Sequence, residues 1–78
     1  METRVEHPGP TVQVFVNDEV RVVPAGTTVG DLVVKVLGLQ PPQVAVERNK
    51  VIVRRADYGS TGLAAGDRLE IVTFFGGG

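Results

Sequence analysis

Hydrophobic and polar residues alternate in the first part of the chain. In residues 12–17, which read VQVFVN, a valine stands at every second position, and this period of two predicts a β-strand. Asn17-Asp18 predicts a turn, and a second strand from about Val20 to Val23 ends at Pro24. These residues therefore predict a β-hairpin, and the pattern leaves the buried face of its second strand open.

The period changes to that of a helix after the hairpin. Thr28 and Asp31 have the spacing of an N-terminal capping box, and Gly38 is placed to end the helix. Because valine is a poor helix former, tertiary packing must hold this helix. One stripe along it is hydrophobic: Val29, Leu32, Val33, Val36 and Leu37.

The second half of the chain predicts three more strands. Two short ones, 43–47 and 50–54, flank a turn at Arg48-Asn49, and a short helical turn is expected near Asp57-Tyr58. A tight turn at residues 65–67 precedes the last strand. In that strand, Leu69 and Ile71 share one face, while the other face carries Glu70, Val72 and Phe74.

This order of elements predicts an α+β fold of the β-grasp, ubiquitin-like type. One helix would pack on one face of a mixed sheet, with the first and last strands side by side. We expect a flexible leader at residues 1–10, a β-grasp domain at residues 11–75 and a flexible glycine tail at residues 76–78.

Composition narrows the chemistry. The chain has 78 residues, a formal net charge of −1, no cysteine and one histidine, His7. This charge argues against a nucleic-acid partner, and no apolar run approaches the about 20 residues that cross a membrane. Without cysteine, and with one histidine, neither a metal site nor a catalytic triad is predicted. A cytoplasmic location fits this composition.

The strand pattern also predicts a docking surface. Phe15, Val72 and Phe74 would face away from the helix, on neighbouring strands, and Phe75 follows directly. An exposed apolar group of this kind indicates a site for a protein partner, unless a loop or the chain end covers it. A basic cluster on the second hairpin is expected to be solvated, although an acidic partner is the alternative: Arg48, Lys50, Arg54 and Arg55.

The residues after the last strand are Gly76, Gly77 and Gly78. A glycine run can be a loose end or a linker. It is not a phosphate-binding loop, because no helix and no Lys-Ser/Thr pair follow it.

Three segments resemble the ThiS family, the ubiquitin-like sulfur carriers of thiamin thiazole synthesis. They are VFVNDEVRVVPAGTTVGDLV, LGLQPPQVAVERNKVIVRRADY and LAAGDRLEIVTFFGGG, and together they cover the chain from about Val12 to Gly78. Asp18 and Lys50 replace glycines that the family has in its turns. We therefore expect both turns to be distorted or of another type.

The resemblance implies a function as a protein cosubstrate rather than an enzyme. A ThiF-like adenylyltransferase would activate the Gly78 carboxylate with ATP and Mg²⁺, and a cysteine desulfurase would supply sulfur. The resulting thiocarboxylate would donate sulfur to thiazole synthase, ThiG. Gly76 and Gly77 would thread the tail into these enzymes, and the carrier itself would bind no cofactor or metal.

Three other functions remain open at this point. A MoaD-like small subunit of molybdopterin synthase would use the same chemistry in another pathway. A ubiquitin-like modifier would be joined to lysines through Gly78. A plain binding module would have no use for the tail.

Overall fold

A computed structural model describes residues 9–74, and five strands form its single mixed sheet. The order across the sheet is β2-β1-β5-β3-β4. The bounds are β1 (Thr11–Val16), β2 (Glu19–Pro24), β3 (Val44–Arg48), β4 (Val51–Val53) and β5 (Arg68–Thr73).

The first and last strands are neighbours, as predicted, and they are the parallel pair. Phe15 lies opposite Arg68, and Val16 opposite Leu69. All other neighbouring strands are antiparallel. Parallel strands cannot be joined by a tight turn. Here β2, the helix, β3, β4 and the loop before β5 connect β1 to β5 in sequence.

The predicted capping box starts the helix. Thr28 accepts a hydrogen bond from the Asp31 backbone N–H at 3.0 Å, and the Asp31 carboxylate accepts one from the Thr28 N–H at 3.2 Å. The Thr28 N–H also holds the pKa of Asp31 below its usual value. These bonds satisfy backbone donors that a helix N-terminus otherwise leaves unpaired.

The helix is α-helical only over α1 (Val29–Asp31) and becomes π-helical over Leu32–Val36. The Leu37 N–H donates to the carbonyl of Leu32, five residues earlier, which is the π-helical bond. This wider turn advances each side chain by less than the about 100° of an α-helix. Val36 is therefore 38% exposed, although the α-helical pattern placed it in the buried stripe.

The hydrophobic core lies between the sheet and the helix. Leu32 and Val33 are fully buried from the helix side, and Val23 is the buried residue of β2, the strand whose inward face the sequence left open. The core consists of Val14, Val16, Val23, Val29, Leu32, Val33, Val44, Val46, Tyr58, Leu63, Leu69 and Ile71.

The loop before β5 closes one end of this core. It begins with a short 3₁₀ turn (Arg55–Asp57), near the predicted helical turn. The Tyr58 carbonyl accepts a hydrogen bond from Gly30 N–H at 2.9 Å, and the Thr61 carbonyl accepts one from Val29 N–H at 2.9 Å. The loop thus satisfies two further donors at the start of the helix.

Both hairpins turn through two residues with positive φ. Asn17 and Asp18 have φ of 50° and 70°, and Asn49 and Lys50 have 52° and 72°, the signs of a type I′ turn. The expected distortion at Asp18 and Lys50 is therefore wrong, because both residues adopt the glycine-like conformation. The second turn also lies one residue later than the predicted Arg48-Asn49.

Candidate functional site

The outer face of the sheet, opposite the helix, carries the side chains predicted to dock a partner. Alternation along β5 buries Leu69 and Ile71 and leaves Val72 exposed. Phe15 lies between two buried valines of β1, so its side chain is on the same outer face as Val72. The two side chains thus share a face, as their parity in sequence predicts.

Phe15 is partly covered by a cation. Its neighbours across the sheet are Val20 on β2 and Arg68 on β5. The Arg68 guanidinium carbon lies 4.5 Å from the centroid of the Phe15 ring, a cation–π arrangement. Arg68 Nη1 is also 3.6 Å from Asp18 Oδ1. Phe15 therefore belongs to a mixed apolar and charged surface.

Val72 and Phe74 form a second group at the end of β5. They are 56% and 53% exposed, and Val72 lies opposite Ala45 of β3. The Phe74 N–H donates to the Gln43 carbonyl at 2.6 Å, which extends the ladder with β3 by one residue. We call Ala45, Val72 and Phe74 the end patch.

The end patch is separate from Phe15. Val72 lies four residues beyond Arg68, the neighbour of Phe15, which is about 13 Å along an extended strand. The predicted docking residues Phe15, Val72 and Phe74 thus form two groups on the described part of the sheet, and their docking role stays a prediction. Parity in sequence determines the face of a side chain, whereas strand register determines its neighbours.

A groove of ≈ 550 Å³ lies beside Phe15, between the two hairpin turns. It contains two basic and two acidic side chains, so it has no preference for a ligand of one charge. Lys50, Arg54 and Arg55 of the predicted basic cluster are exposed as predicted, and Lys50 lines this groove. The groove is lined by Phe15, Asp18, Asn49, Lys50, Arg68, Leu69 and Glu70.

Two asparagines from the turns bind β5 from opposite sides. The side chain of Asn17 donates to the Ile71 carbonyl and accepts from the Ile71 N–H. The side chain of Asn49 accepts from the Arg68 N–H at 2.9 Å. The sequence predicted only a turn at Asn17. Both asparagines are the first residue of a two-residue turn that follows a strand. This repeated sequence pattern is the signal that could have indicated both contacts.

Asp67 is a buried carboxylate just before β5. Its Oδ2 accepts hydrogen bonds from the Ala64 N–H and from Arg48 Nε, each at 2.8 Å, and its Oδ1 accepts one from Asn49 at 3.0 Å. Burial favours the neutral acid, but these three donors outweigh it and hold the pKa of Asp67 below its usual value. Arg48, expected to be solvated, is thus half-buried in an ion pair.

Several predicted positions lie outside the described residues. They are Phe75 and the tail glycines Gly76, Gly77 and Gly78, together with His7. Within residues 9–74, no cluster of three His, Cys, Asp or Glu side chains is arranged to hold a metal ion. Over the same range, no helix has the length and apolar character needed to cross a bilayer.

The mixed five-stranded sheet, with one helix on one face and its first and last strands paired in parallel, defines a β-grasp domain of the ubiquitin-like class. The model of the ThiS family matches residues 5–78. The chain therefore belongs to the ThiS family, the sulfur carriers that its sequence resembles.

A solved structure has the same fold. The crystal structure of the thiamine biosynthesis protein ThiS from Geobacter metallireducens has a TM-score of 0.71 and 28% sequence identity to this chain. The match covers 86% of this chain and 100% of that one.

Two curated relatives are named thiazole synthase. The protein from Magnetococcus marinus is 43% identical over 67 residues, and that from Paramagnetospirillum magneticum is 42% identical over 67 residues. Each match covers 86% of this chain but only 20% of the relative. The chain thus spans about a fifth of the length of the curated relatives that it matches.

Proposed function

We propose that this domain carries sulfur for the synthesis of the thiamin thiazole, as a thiocarboxylate on Gly78. The observation that carries the proposal is the ThiS family match, which runs through residue 78 and so includes the glycines after β5. The two relatives named thiazole synthase favour the thiazole pathway over molybdopterin synthesis.

The first step is adenylation of the carboxylate by a ThiF-like enzyme. An α-carboxyl has a pKa near about 3.5, so it is an anion at neutral pH. One oxygen attacks the α-phosphorus of ATP, the bond to the β-phosphate oxygen breaks, and pyrophosphate leaves. ATP and Mg²⁺ are held by the activating enzyme, and the carrier contributes the nucleophile.

The second step exchanges the leaving group for sulfur. A persulfide formed by a cysteine desulfurase attacks the acyl carbon, and AMP leaves with the electron pair of the broken C–O bond. Reduction of the acyl disulfide by a thiol leaves the thiocarboxylate. The thiazole synthase then takes this sulfur: the acyl C–S bond breaks, and attack by water on the acyl carbon supplies the oxygen that restores the carboxylate of Gly78 for another cycle.

Glycine suits the segment that must enter these enzymes. Three extended residues span about 10 Å, and without Cβ atoms Gly76 and Gly77 fit a narrow channel. Glycine also adopts conformations that other residues avoid, so one segment can fit several active sites in turn. Ordering each residue costs about 1–2 kcal/mol, which contacts made by the folded domain must offset.

The outer face supplies those contacts in our proposal. Val72 and Phe74 of the end patch lie on the strand that leads to the glycines, and both are more than half exposed. Phe75 extends this apolar segment in sequence. Phe15, about 13 Å away along the sheet, would make a second contact together with Arg68. We place this function in the cytoplasm, where ATP is available.

Mass spectrometry tests the proposal. The protein is prepared with Gly78 as its last residue and incubated with a ThiF-like enzyme, Mg-ATP, a cysteine desulfurase and cysteine. The intact mass should rise by the difference between one sulfur and one oxygen. A matched chain lacking Gly78 should not change. An unmodified full-length chain beside an active enzyme would refute the carrier function.

A pull-down separates the remaining alternatives. Capture of a thiazole synthase supports the proposal, whereas capture of the large molybdopterin synthase subunit would move the carrier to that pathway. Conjugates of higher mass joined through Gly78 would instead indicate a protein modifier.

A further inference from the structure

On the side away from β3, the end of β5 is held by a side chain rather than by a strand. β1 ends at Val16, whose register partner on β5 is Leu69. The next backbone bond on this side is from the Asn17 N–H to the Leu69 carbonyl, at 2.8 Å. Main-chain pairing then stops, because the chain turns away into β2 with Asn17 at φ 50°.

The carboxamide of Asn17 continues the ladder beyond this point. Its Oδ1 accepts a hydrogen bond from the Ile71 N–H at 2.7 Å, and its Nδ2 donates to the Ile71 carbonyl at 3.1 Å. A carboxamide has one acceptor oxygen and a donor N–H₂, so it can replace a peptide group. Asn17 thus supplies the pairing that β1 would provide if it were longer.

The Asn17 side chain can replace a peptide group only because it is a carboxamide and because its backbone turns with positive φ. Aspartate would keep the acceptor but lose the donor to the Ile71 carbonyl. Asparagine also tolerates positive φ better than most residues, which lets the backbone turn away while the side chain points along β5. Ile71 is buried, so its backbone groups would be costly to leave unpaired.

We propose that Asn17 is a positioning residue that sets the direction in which the chain leaves the sheet towards residues 75–78. This inference rests on the proposed carrier function. The end of β5 is paired with β3 on one side, where Val72 lies opposite Ala45. Asn17 holds the other side two residues before Thr73, the last residue of the strand.

The second turn provides a matched control. Asn49 has nearly the same backbone conformation, with φ 52°, and its side chain also bonds β5. Its partners are Arg68 N–H and Asp67, at the start of the strand. Both positions accept glycine in this conformation. Asn17→Gly and Asn49→Gly therefore remove equivalent side chains from opposite ends of β5.

Hydrogen exchange tests the contact itself. In Asn17→Gly, the Ile71 amide should exchange about tenfold faster, because it loses its acceptor. Asn17→Asp keeps the acceptor for this amide and loses only the donor to the Ile71 carbonyl, so it should accelerate exchange less than Asn17→Gly does. In Asn49→Gly, the Arg68 amide should be accelerated instead. An unchanged Ile71 rate in Asn17→Gly would show that Asn17 does not hold the strand.

Steady-state kinetics with the ThiF-like enzyme tests the positioning role. In Asn17→Gly, kcat for adenylation should fall about tenfold while KM stays within about twofold, because docking survives but the acceptor is misplaced. Asn49→Gly should retain the wild-type kcat. An unchanged kcat in Asn17→Gly, or equal losses in both variants, would overturn the role.

The two proposals fail in different ways. If the wild-type chain is never modified by an active enzyme, the carrier function is wrong, and the positioning role fails with it. The exchange measurement still decides whether Asn17 holds β5. If the wild type is modified and only the kinetic difference is missing, the positioning role alone is wrong.

Discussion

The buried Asp67 and the half-buried Arg48 form an ion pair that joins the end of β3 to the start of β5. Oδ2 of Asp67 lies 2.8 Å from Nε of Arg48, and Asp67 is only 6% exposed. The same carboxylate binds the Ala64 N–H and Asn49. Removing one partner of such a network leaves buried groups unsatisfied, so its contribution to stability should be measurable.

We predict that the stability contributed by Asp67 is lost in acid. Its pKa is lowered in the folded state, so its contribution is fully present above the unfolded pKa of about 3.9. The contribution disappears as the pH falls through the lower, folded pKa. At neutral pH, Asp67→Asn should lower the free energy of unfolding by roughly 1–3 kcal/mol.

Urea unfolding of the wild type and Asp67→Asn between about pH 7 and pH 3 measures this effect. The difference in unfolding free energy should be constant above about pH 5 and shrink below pH 4. Asp31 is present in both proteins, so its own titration cancels. A difference that does not depend on pH would contradict the assignment to Asp67.

Lys50→Gly should stabilise the protein. Lys50 has φ 72° in the second turn, where an L-residue with a Cβ atom is strained. We expect a gain of about 0.5–1 kcal/mol in the free energy of unfolding, after the greater entropy of glycine in the unfolded chain is subtracted. Lys50→Ala removes the charge but retains the strain, so it should show no such gain in thermal unfolding.

Thr28→Ala should destabilise the helix. It removes the hydroxyl that accepts the Asp31 N–H, and loss of an N-cap costs about 1 kcal/mol. Thr28→Ser keeps the hydroxyl and should differ from the wild type by only a few tenths of a kcal/mol, an estimate on the same scale. Chemical denaturation of the wild type, Thr28→Ala and Thr28→Ser measures these differences. It distinguishes loss of the N-cap hydrogen bond from loss of packing by the threonine methyl group.

Phe74→Glu should weaken binding to the activating enzyme about tenfold or more, because it places a charge in the end patch. Val51→Glu is the control. Val51 is 67% exposed but is paired with Arg48, on the face opposite Phe74. Isothermal titration calorimetry measures both affinities. Equal affinities for the wild type and Phe74→Glu would exclude the end patch from the interface.

Gly77→Ala should impair adenylation while leaving thermal stability close to that of the wild type. The added Cβ atom would obstruct entry into a narrow channel and restrict the backbone. A pyrophosphate-release assay and a thermal melt measure the two properties. A large fall in Tm would mean that Gly77 takes part in the folded domain, which would contradict the proposed use of the tail.

The alternation of residues in β1 and β5 correctly assigned the faces of Phe15 and Val72. It did not show that the two lie about 13 Å apart along the sheet, because that depends on the register between two strands far apart in sequence. The prediction of a buried hydrophobic stripe along the helix was also largely correct. The π-helical bond of Leu37 displaced Val36 from it, and a change in hydrogen bonding cannot be read from hydrophobic period alone.

The sequence by itself determined the order of the elements, the capping box at Thr28 and the family. These depend on local spacing and on side-chain chemistry that is the same in any fold. Only the tertiary structure decided that Asn17 pairs with Ile71 and that Asp67 is buried against Arg48. Such contacts join distant segments, and a turn asparagine or a loop aspartate has the same local pattern whether it faces water or a strand.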